Sequence, residues 1–341
     1  MRLCAERIRD VKVLVLGGTH HVGRALVEIA LARGDTVTTL SRGVSGIATM
    51  GAESRHADRR DATALEVALG DDTWDVVVDT WSFEPSAVQR TARLLRGRAG
   101  HYGYVSSRSV YTWPLVPGSD ESARVVDGDP SSDDATDYAA AKRGAEIAAL
   151  EEFSGEVLLA RAGLILGAYE FVGRLPWWLN RIDRGGTVPA PGPRDRPLQY
   201  VDARDLSAWM LDAAEQRIGG TFNAVSEPGH TTMAGLLDAC LAATRSTAQL
   251  AWVAPEAIAA CGVSGWTDLP IWVPPTGEFA GLHACDVSRA AAAGLRCRPV
   301  VETVDDTWAW LRKQDAAGDA ADRARPLGLD EGQEACLLAS A

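Results

Sequence analysis

A tyrosine and a lysine stand four residues apart in Tyr138-Ala-Ala-Ala-Lys142. They follow three serines, Ser106, Ser107 and Ser109, and a glycine-bearing stretch, Leu14-Val-Leu-Gly17-Gly18-Thr19-His20-His21-Val22-Gly23-Arg24. On a helix, residues four apart share a face, so Lys142 can bring its ammonium near the Tyr138 phenol. A nearby cation favours phenolate and lowers a pKa that is otherwise about 10, moving the phenol toward useful acid-base strength near neutrality. Ser107 can hold a substrate carbonyl oxygen by a hydrogen bond while Tyr138 gives it a proton. Such a pair is also common on ordinary helix surfaces, so it gains weight only from the company it keeps.

The glycine stretch supplies that company. It reads as a strand, a turn and the start of a helix, and such a turn lets the backbone approach a pyrophosphate whose charge the helix N-terminus stabilises. A tight strand-to-helix connection needs glycine in any case. Its place at the first such turn favours a dinucleotide site built on Gly17, Gly18, Thr19, His20, His21, Val22 and Gly23. The second strand ends at Leu40-Ser41-Arg42 without an Asp or Glu for the ribose hydroxyls, and Arg42, with Arg24, can pair with a 2′-phosphate. NADP(H) is therefore favoured, with NAD(H) left open. With nicotinamide C4 giving hydride to carbon and Tyr138 giving a proton to oxygen, reduction is the natural direction.

Short apolar runs alternating with longer amphipathic stretches must position these groups, the pattern of a parallel sheet flanked by helices. Val11 to Leu16, Thr36 to Leu40, Asp75 to Asp79, Tyr102 to Ser106, Val157 to Ala160 and Thr221 to Ala224 read as strands, and Gly23 to Arg33 as a helix. The expected fold is α/β: a Rossmann-type doubly wound parallel sheet with a smaller C-terminal substrate-binding region. Residues 1–166 form the dinucleotide-binding domain and 167–312 mainly the substrate region, with segments near 198–225 returning to the first domain. The Ala, Asp and Gly content of 313–341 suggests a flexible acidic tail.

The 341 residues can bury one large core or two smaller ones, and a formal net charge of -12 disfavours nucleic acid and anionic membrane as partners. The six cysteines, Cys4, Cys240, Cys261, Cys285, Cys297 and Cys336, are scattered without C-x-x-C spacing, which argues against a disulfide scaffold or a zinc site and for a reducing cytoplasm. No stretch approaches the roughly 20 apolar residues that span a bilayer, so a soluble, cytoplasmic protein is expected. His20, His21, His230 and His283 form no ligand cluster, and no metal is expected.

The chain resembles an extended (atypical) short-chain dehydrogenase/reductase of the NAD-dependent epimerase/dehydratase superfamily from Val11 to Arg312. The resemblance rests on the Gly-Gly-Thr turn, His56-Ala-Asp58-Arg-Arg-Asp61, Val105-Ser-Ser107-Arg-Ser-Val-Tyr111, the Tyr138/Lys142 pair and Gln199-Tyr-Val-Asp202-Ala-Arg-Asp205. It implies that Gly17, Gly18 and Gly23 are the phosphate turn, that Asp58 contacts the adenine amine, and that Asp79 and Thr80 line the cofactor. It further implies that Ser107, Tyr138 and Lys142 are catalytic and that the chain forms a homodimer through two helices. Two departures stand out: His20 occupies the place of the usual middle glycine, and Ala162 that of a proline.

Absences narrow the reaction. Ser107 is followed by Arg108-Ser109 where 4,6-dehydratases carry acids, and Arg161-Ala-Gly lacks the asparagine usual in sugar-nucleotide epimerases. Trp113, Trp177, Trp178, Trp266 and Trp272 fall where the substrate cleft is expected, and an aromatic lining suits a flat or apolar molecule. Core packing would explain the same tryptophans. Arg108, Trp113, Trp177 and Arg196 are the candidate substrate contacts, Asp202 and Asp205 are structural caps, and His230 or His283 has a minor claim on substrate. The expectation is NADPH-dependent reduction of a carbonyl or imine on a small aromatic or polyketide-like metabolite of specialised metabolism. Sugar-nucleotide epimerisation, with Arg196 and Arg204 neutralising phosphate, is the main alternative. A redox-silent scaffold, RNA-associated in some relatives, is the third.

Overall fold

The computed structural model describes residues 10–44, 49–317 and 327–341. The chain begins with β1 (Lys12–Leu16), α1 (His21–Ala32), β2 (Thr36–Ser41), β3 (Glu53–His56), α2 (Ala62–Leu69), β4 (Trp74–Asp79) and α3 (Pro85–Leu94). There follow β5 (Ala99–Ser107), α4 (Tyr138–Glu152), β6 (Glu156–Ala162), β7 (Leu164–Leu166), α5 (Arg174–Asp183), β8 (Thr187–Pro191), β9 (Pro197–Leu198) and β10 (Tyr200–Asp202). The last elements are α6 (Ala203–Glu215), β11 (Gly220–Ala224), β12 (Thr231–Thr232), α7 (Met233–Thr244), β13 (Gln249–Val253), α8 (Pro255–Ala260), α9 (Ser288–Ala292), α10 (Val300–Ala317) and α11 (Glu331–Ala339).

Seven strands form one sheet in the order β11-β6-β5-β4-β1-β2-β3. β1 pairs in parallel with β2 on one side and with β4 on the other, so the order reverses beside β1. In doubly wound sheets ligands bind at the carboxyl ends of the strands at that reversal, which here are Leu16 and Asp79. β1 reads Val-Leu-Val-Leu after Lys12 with all four apolar residues buried, as a strand covered on both faces requires. The expected strands are all present, and their ends differ from the expected limits by a few residues.

The chain folds into two compact units. The first holds the described residues up to Val110, with Val125–Arg161 and Leu206–Phe222. Its core joins Leu14, Leu16 and Leu40 to Tyr102, Tyr104 and the alanine face of α4. The second holds Tyr111–Arg124, Ala162–Asp205 and the chain from Asn223 on. The second unit resumes at Ala162, a few residues before the division at Gly167 read from composition, and residues 111–124 belong with it, tied by Gly118 N to Ala284 O and by Asp286 N to Ser119 O.

Two expectations for the C-terminal region are corrected. The stretch expected to be a loose tail contains the end of α10 and the whole of α11, while residues 318–326 lie outside the described residues. Asp330 and Gln333 make a capping box that starts α11, Leu337 is fully buried, and Arg181 of α5 pairs with Glu334. Cys261 and Cys336, far apart in sequence and therefore uninformative by spacing, form a disulfide between the end of α8 and α11. Cysteine usage then no longer argues for a reducing compartment. No described helix is long and apolar enough to cross a membrane.

Candidate active site

After β1 the chain turns through Gly17 and Gly18 at φ of 123° and 108°, backbone that L side chains rarely adopt. A Cβ on Gly17 would strike Thr80 Oγ1, and one on Gly23 would lie 2.6 Å from the Gly18 amide nitrogen. Thr80 closes the floor of the turn by donating its Oγ1 hydrogen to Leu16 O at 2.9 Å. The three glycines therefore let α1 start hard against the end of β1. The N-cap residue His20 is extended and makes no side-chain hydrogen bond to the helix, and burial holds its imidazole below the ordinary histidine range. His21 follows with φ 39°. The His20 side chain does not cap the first amides of α1, and the close glycine backbone of the turn built from Gly17, Gly18, Thr19, His20, His21, Val22 and Gly23 suits a dinucleotide's pyrophosphate.

Arg42 is exposed just beyond β2. Arg24 is less available than the sequence suggested, since its Nε donates to Glu28 Oε1 at 2.6 Å one turn along α1. Asp58 accepts from Arg60 Nε at 3.0 Å and Nη2 at 2.9 Å. That guanidinium, with Arg42 contributing, keeps the Asp58 carboxyl below its usual range.

Asp137 caps α4 by accepting from the amides of Ala139 and Ala140, which sets Tyr138 at the first helical position with its side chain nearly half exposed (46%). Lys142, one turn later, is buried. Its Nζ donates to Trp81 O and to Val105 O, both at 2.7 Å, and lies 4.7 Å from the centre of the Tyr104 ring. Burial pushes this amine down to about 7, against the pull of the Asp79 and Glu146 charges. Ser107 at the end of β5 donates to Ser109 Oγ at 3.1 Å and accepts from Ser109 N at 3.1 Å. The first unit thus carries the glycine turn, Arg42, Asp58, Asp79, Thr80, Ser107, Arg108, Tyr138 and Lys142.

Two buried ion pairs underlie this set. Asp79 takes Arg59 Nη1 at 2.6 Å and Nη2 at 2.7 Å, and Glu146 takes Arg161 Nε at 2.8 Å and Nη2 at 2.9 Å. Ser106 donates to Glu146 Oε1 at 2.7 Å. None of Arg59, Glu146 and Arg161 was singled out for a role at the site from the sequence. Glu146 lies four residues beyond Lys142, a spacing that signals a shared helix face, whereas Arg59 gives no local signal because its partner is twenty residues away.

The second unit carries the other substrate candidates, and several change role. Trp178 and Trp272 are wholly buried core residues whose Nε1 groups donate to Pro270 O and Gly192 O. Trp177 packs edge-on against Trp178, and Gly328 of the C-terminal segment lies so close that a Cβ there would strike it. Trp177, partly buried, thus packs within this unit. Trp113 packs at a tilt against the exposed Phe279, with ring centres 5.2 Å apart. Arg196 donates to Ala280 O at 2.9 Å while its Nε is buried without a hydrogen-bond partner among the described residues. Arg204 is bound to Asp202 and Asp306, and Asp205 to Arg298, so these are structural ion pairs. His283 is buried between Gln199 and Ile271 backbone, and His230 reaches Arg298 O, which gives both a structural role. Arg108 is buried in a single 3-10 turn after β5.

A profile of the NAD dependent epimerase/dehydratase family matches residues 13–224, and the chain belongs to that family. The structure of the Bordetella bronchiseptica enzyme WbmH in complex with NAD+ is similar with a TM-score of 0.64 at 16% identity, over 89% of this chain and 99% of that one. WbmG from the same organism, in complex with NAD and UDP, gives 0.64 at 17% identity over 94% and 100%. UDP-glucose 4-epimerase of Thermus thermophilus in complex with NAD gives 0.62 at 18% identity over 88% and 99%. Among curated proteins, the chloroplast stem-loop binding protein of 41 kDa b from Arabidopsis thaliana is 26% identical over 257 residues, 68% of this chain. The chain spans 62% of that relative's length.

Proposed function

We propose that this protein is an NADP(H)-dependent reductase of a carbonyl or imine group on a small, non-sugar metabolite. The observation that carries the reading is the buried Lys142 ammonium, seated on two backbone carbonyls one helical turn from the half-exposed Tyr138. A dihydronicotinamide, when bound, would supply the hydride for the substrate carbon. Ser107 Oγ holds the substrate oxygen, Tyr138 Oη gives its proton to that oxygen, and Lys142 stabilises the phenolate left behind. The phenol is then restored by a proton from solvent, which its exposure permits. Arg42, exposed at the end of β2 where no acid stands, favours a 2′-phosphate. Asp58 is assigned to the adenine and Asp79 and Thr80 to the strand ends beneath the cofactor. Arg108, Trp113 and Arg196 remain with the substrate.

Epimerisation with a retained NAD is the second reading. It is supported by the UDP-glucose 4-epimerase likeness, by the UDP held in the WbmG structure, and by the buried Nε of Arg196, which has no hydrogen-bond partner among the described residues and suits an anion. A homodimer is part of both readings. Calorimetric titration of cofactor-free protein with NADPH, NADP+, NADH and NAD+ tests them, after the protein as isolated has been assayed for bound nucleotide. Exchangeable NADP(H) with weaker NAD(H) is expected. Tightly retained NAD would replace the reductase by the epimerase, and no binding at all would leave a redox-silent scaffold such as the stem-loop binding relative suggests.

A further inference from the structure

We infer that Arg59 and Asp79, a buried ion pair beside the lysine, are positioning residues that fix the Trp81 carbonyl on which Lys142 rests and set the charge the lysine feels. This rests on the reading of Lys142 as the partner of Tyr138.

The geometry runs from the turn after β3 to α4 through one loop. Asp79, fully buried at the end of β4, accepts both Nη groups of Arg59, the Tyr102 hydroxyl and the Trp81 amide at 2.9 Å. Arg59 is held in turn by Thr91 Oγ1 at 3.0 Å, and its guanidinium lies 5.0 Å from the centre of the Trp81 ring. Trp81 is thus fixed at its amide and at its ring. Its carbonyl then receives Lys142 Nζ at 2.7 Å and Tyr104 Oη at 3.0 Å. Without the carboxylate, the Trp81 peptide loses the acceptor that orients it.

The same pair governs charge. Among the described residues Lys142 bonds no carboxylate: its bonds go to two neutral carbonyls. The charged groups around it are Asp79 and Arg59 on one side, and on the other Glu146 of its own helix with Arg161 of β6 and Arg143. Tyr102 and Tyr104 of β5 are held neutral by burial. Each carboxylate is matched by arginine, so the amine sits between two ion pairs, and removing one member of a pair exposes it to the other. Asp79 acts more strongly on it than Arg59 does. Loss of Asp79 therefore discourages the ammonium, loss of Arg59 favours it, and loss of both discourages it less than loss of Asp79 alone.

The chain has three lysines, Lys12, Lys142 and Lys313, and only Lys142 is buried. Lysine labelled with carbon-13 at Cε therefore reports its titration by NMR without any substrate. The order of midpoints expected is R59Q highest, then the native protein, then the R59Q/D79N double variant, then D79N, with D79N roughly one pH unit or more below native. Midpoints that move together in both single variants, or that stay within about 0.3 unit of native where a charge change beside a buried amine shifts it by more, overturn the inference. They would mean that the pair merely holds the fold. If a single variant does not fold, the double variant decides, since a neutralised buried pair is tolerated better than a broken one. A double variant at the native midpoint also overturns it. Calorimetry with NADPH and NAD+ on the native protein reports separately on the functional reading, so the coupling can fail while dinucleotide binding stands, and the reverse.

Discussion

A Cβ on Gly23, in the first turn of α1, would sit 2.6 Å from the amide nitrogen of Gly18. The obstacle is backbone and cannot swing aside, so Gly23→Ala must push α1 away from the glycine turn. Overpacking of this kind costs about 1–3 kcal/mol. The amides that face a pyrophosphate move with the helix. Dinucleotide affinity measured by calorimetry is expected to fall by about tenfold or more, a change of about 1.4 kcal/mol. An unchanged affinity would remove the turn from the cofactor site.

Tyr138→Phe removes one hydroxyl from a side chain that is nearly half exposed at the start of α4. Thermal stability and cofactor affinity should stay at native values, because the Asp137 cap and the Lys142 bonds do not involve the phenol. Turnover of any substrate identified should fall by roughly 10²–10⁴, the range for loss of a general acid. Turnover at the native rate would assign the proton to another group.

Arg42→Asp reverses the charge beyond β2, beside an Asp58 that is already paired with Arg60. The introduced acid offers ribose hydroxyls an acceptor and repels a 2′-phosphate. The ratio of NADPH to NADH affinity should drop by about tenfold or more, as loss of a charge-assisted phosphate contact implies. A ratio that does not move would show that Arg42 does not face the 2′-position.

The parallel sheet was legible because buried strands such as Lys12–Leu16 read as unbroken apolar runs and the glycines mark the turn that follows. That Tyr138 and Lys142 share a helix was legible from their spacing. The seat of Lys142 on Trp81 O was not, because that carbonyl is oriented through Asp79, Tyr102 and Arg59, three residues with no shared period. The tryptophans stayed ambiguous for a related reason. A Trp in a Pro- and Gly-rich stretch reads the same whether its indole lines a pocket or, like Trp178, buries its ring and satisfies its N–H on a carbonyl. The C-terminal helix was hidden by composition, since one buried Leu337, one cap and one cysteine hold it, and none of these stands out among Ala, Asp and Gly.

The Cys261–Cys336 bridge closes a loop of 75 residues and ties α11 to the second unit. By chain entropy alone such a closure stabilises by about 4 kcal/mol, and real bridges fall at or below that figure. Cys336→Ser, or the native protein under reductant, should unfold at lower temperature. Amide exchange should rise first in α11, whose remaining ties include Leu337, the Arg181–Glu334 pair and Gln333 Nε2 donating to Asp268 Oδ2. Equal melting of oxidised and reduced protein would show that the ties other than the bridge suffice.

Glu170 is buried just before α5, where its carboxyl oxygens accept from Arg174 N at 2.8 Å and Leu175 N at 3.2 Å. Burial pushes this carboxyl up to about 7 from an ordinary 4.5, although the two amides and the Arg174 charge oppose the rise. A raised acid pKa means that the folded protein keeps a proton that the unfolded chain has released. The stabilisation is therefore complete below about pH 4.5 and is lost as pH rises toward 7, by at most about 3 kcal/mol. Glu170→Gln carries no charge at either end of that window. Melting temperature measured between those limits should fall with rising pH more steeply in the native protein than in the variant. Parallel curves would mean that Glu170 is ionised throughout, held by the helix amides in spite of its burial.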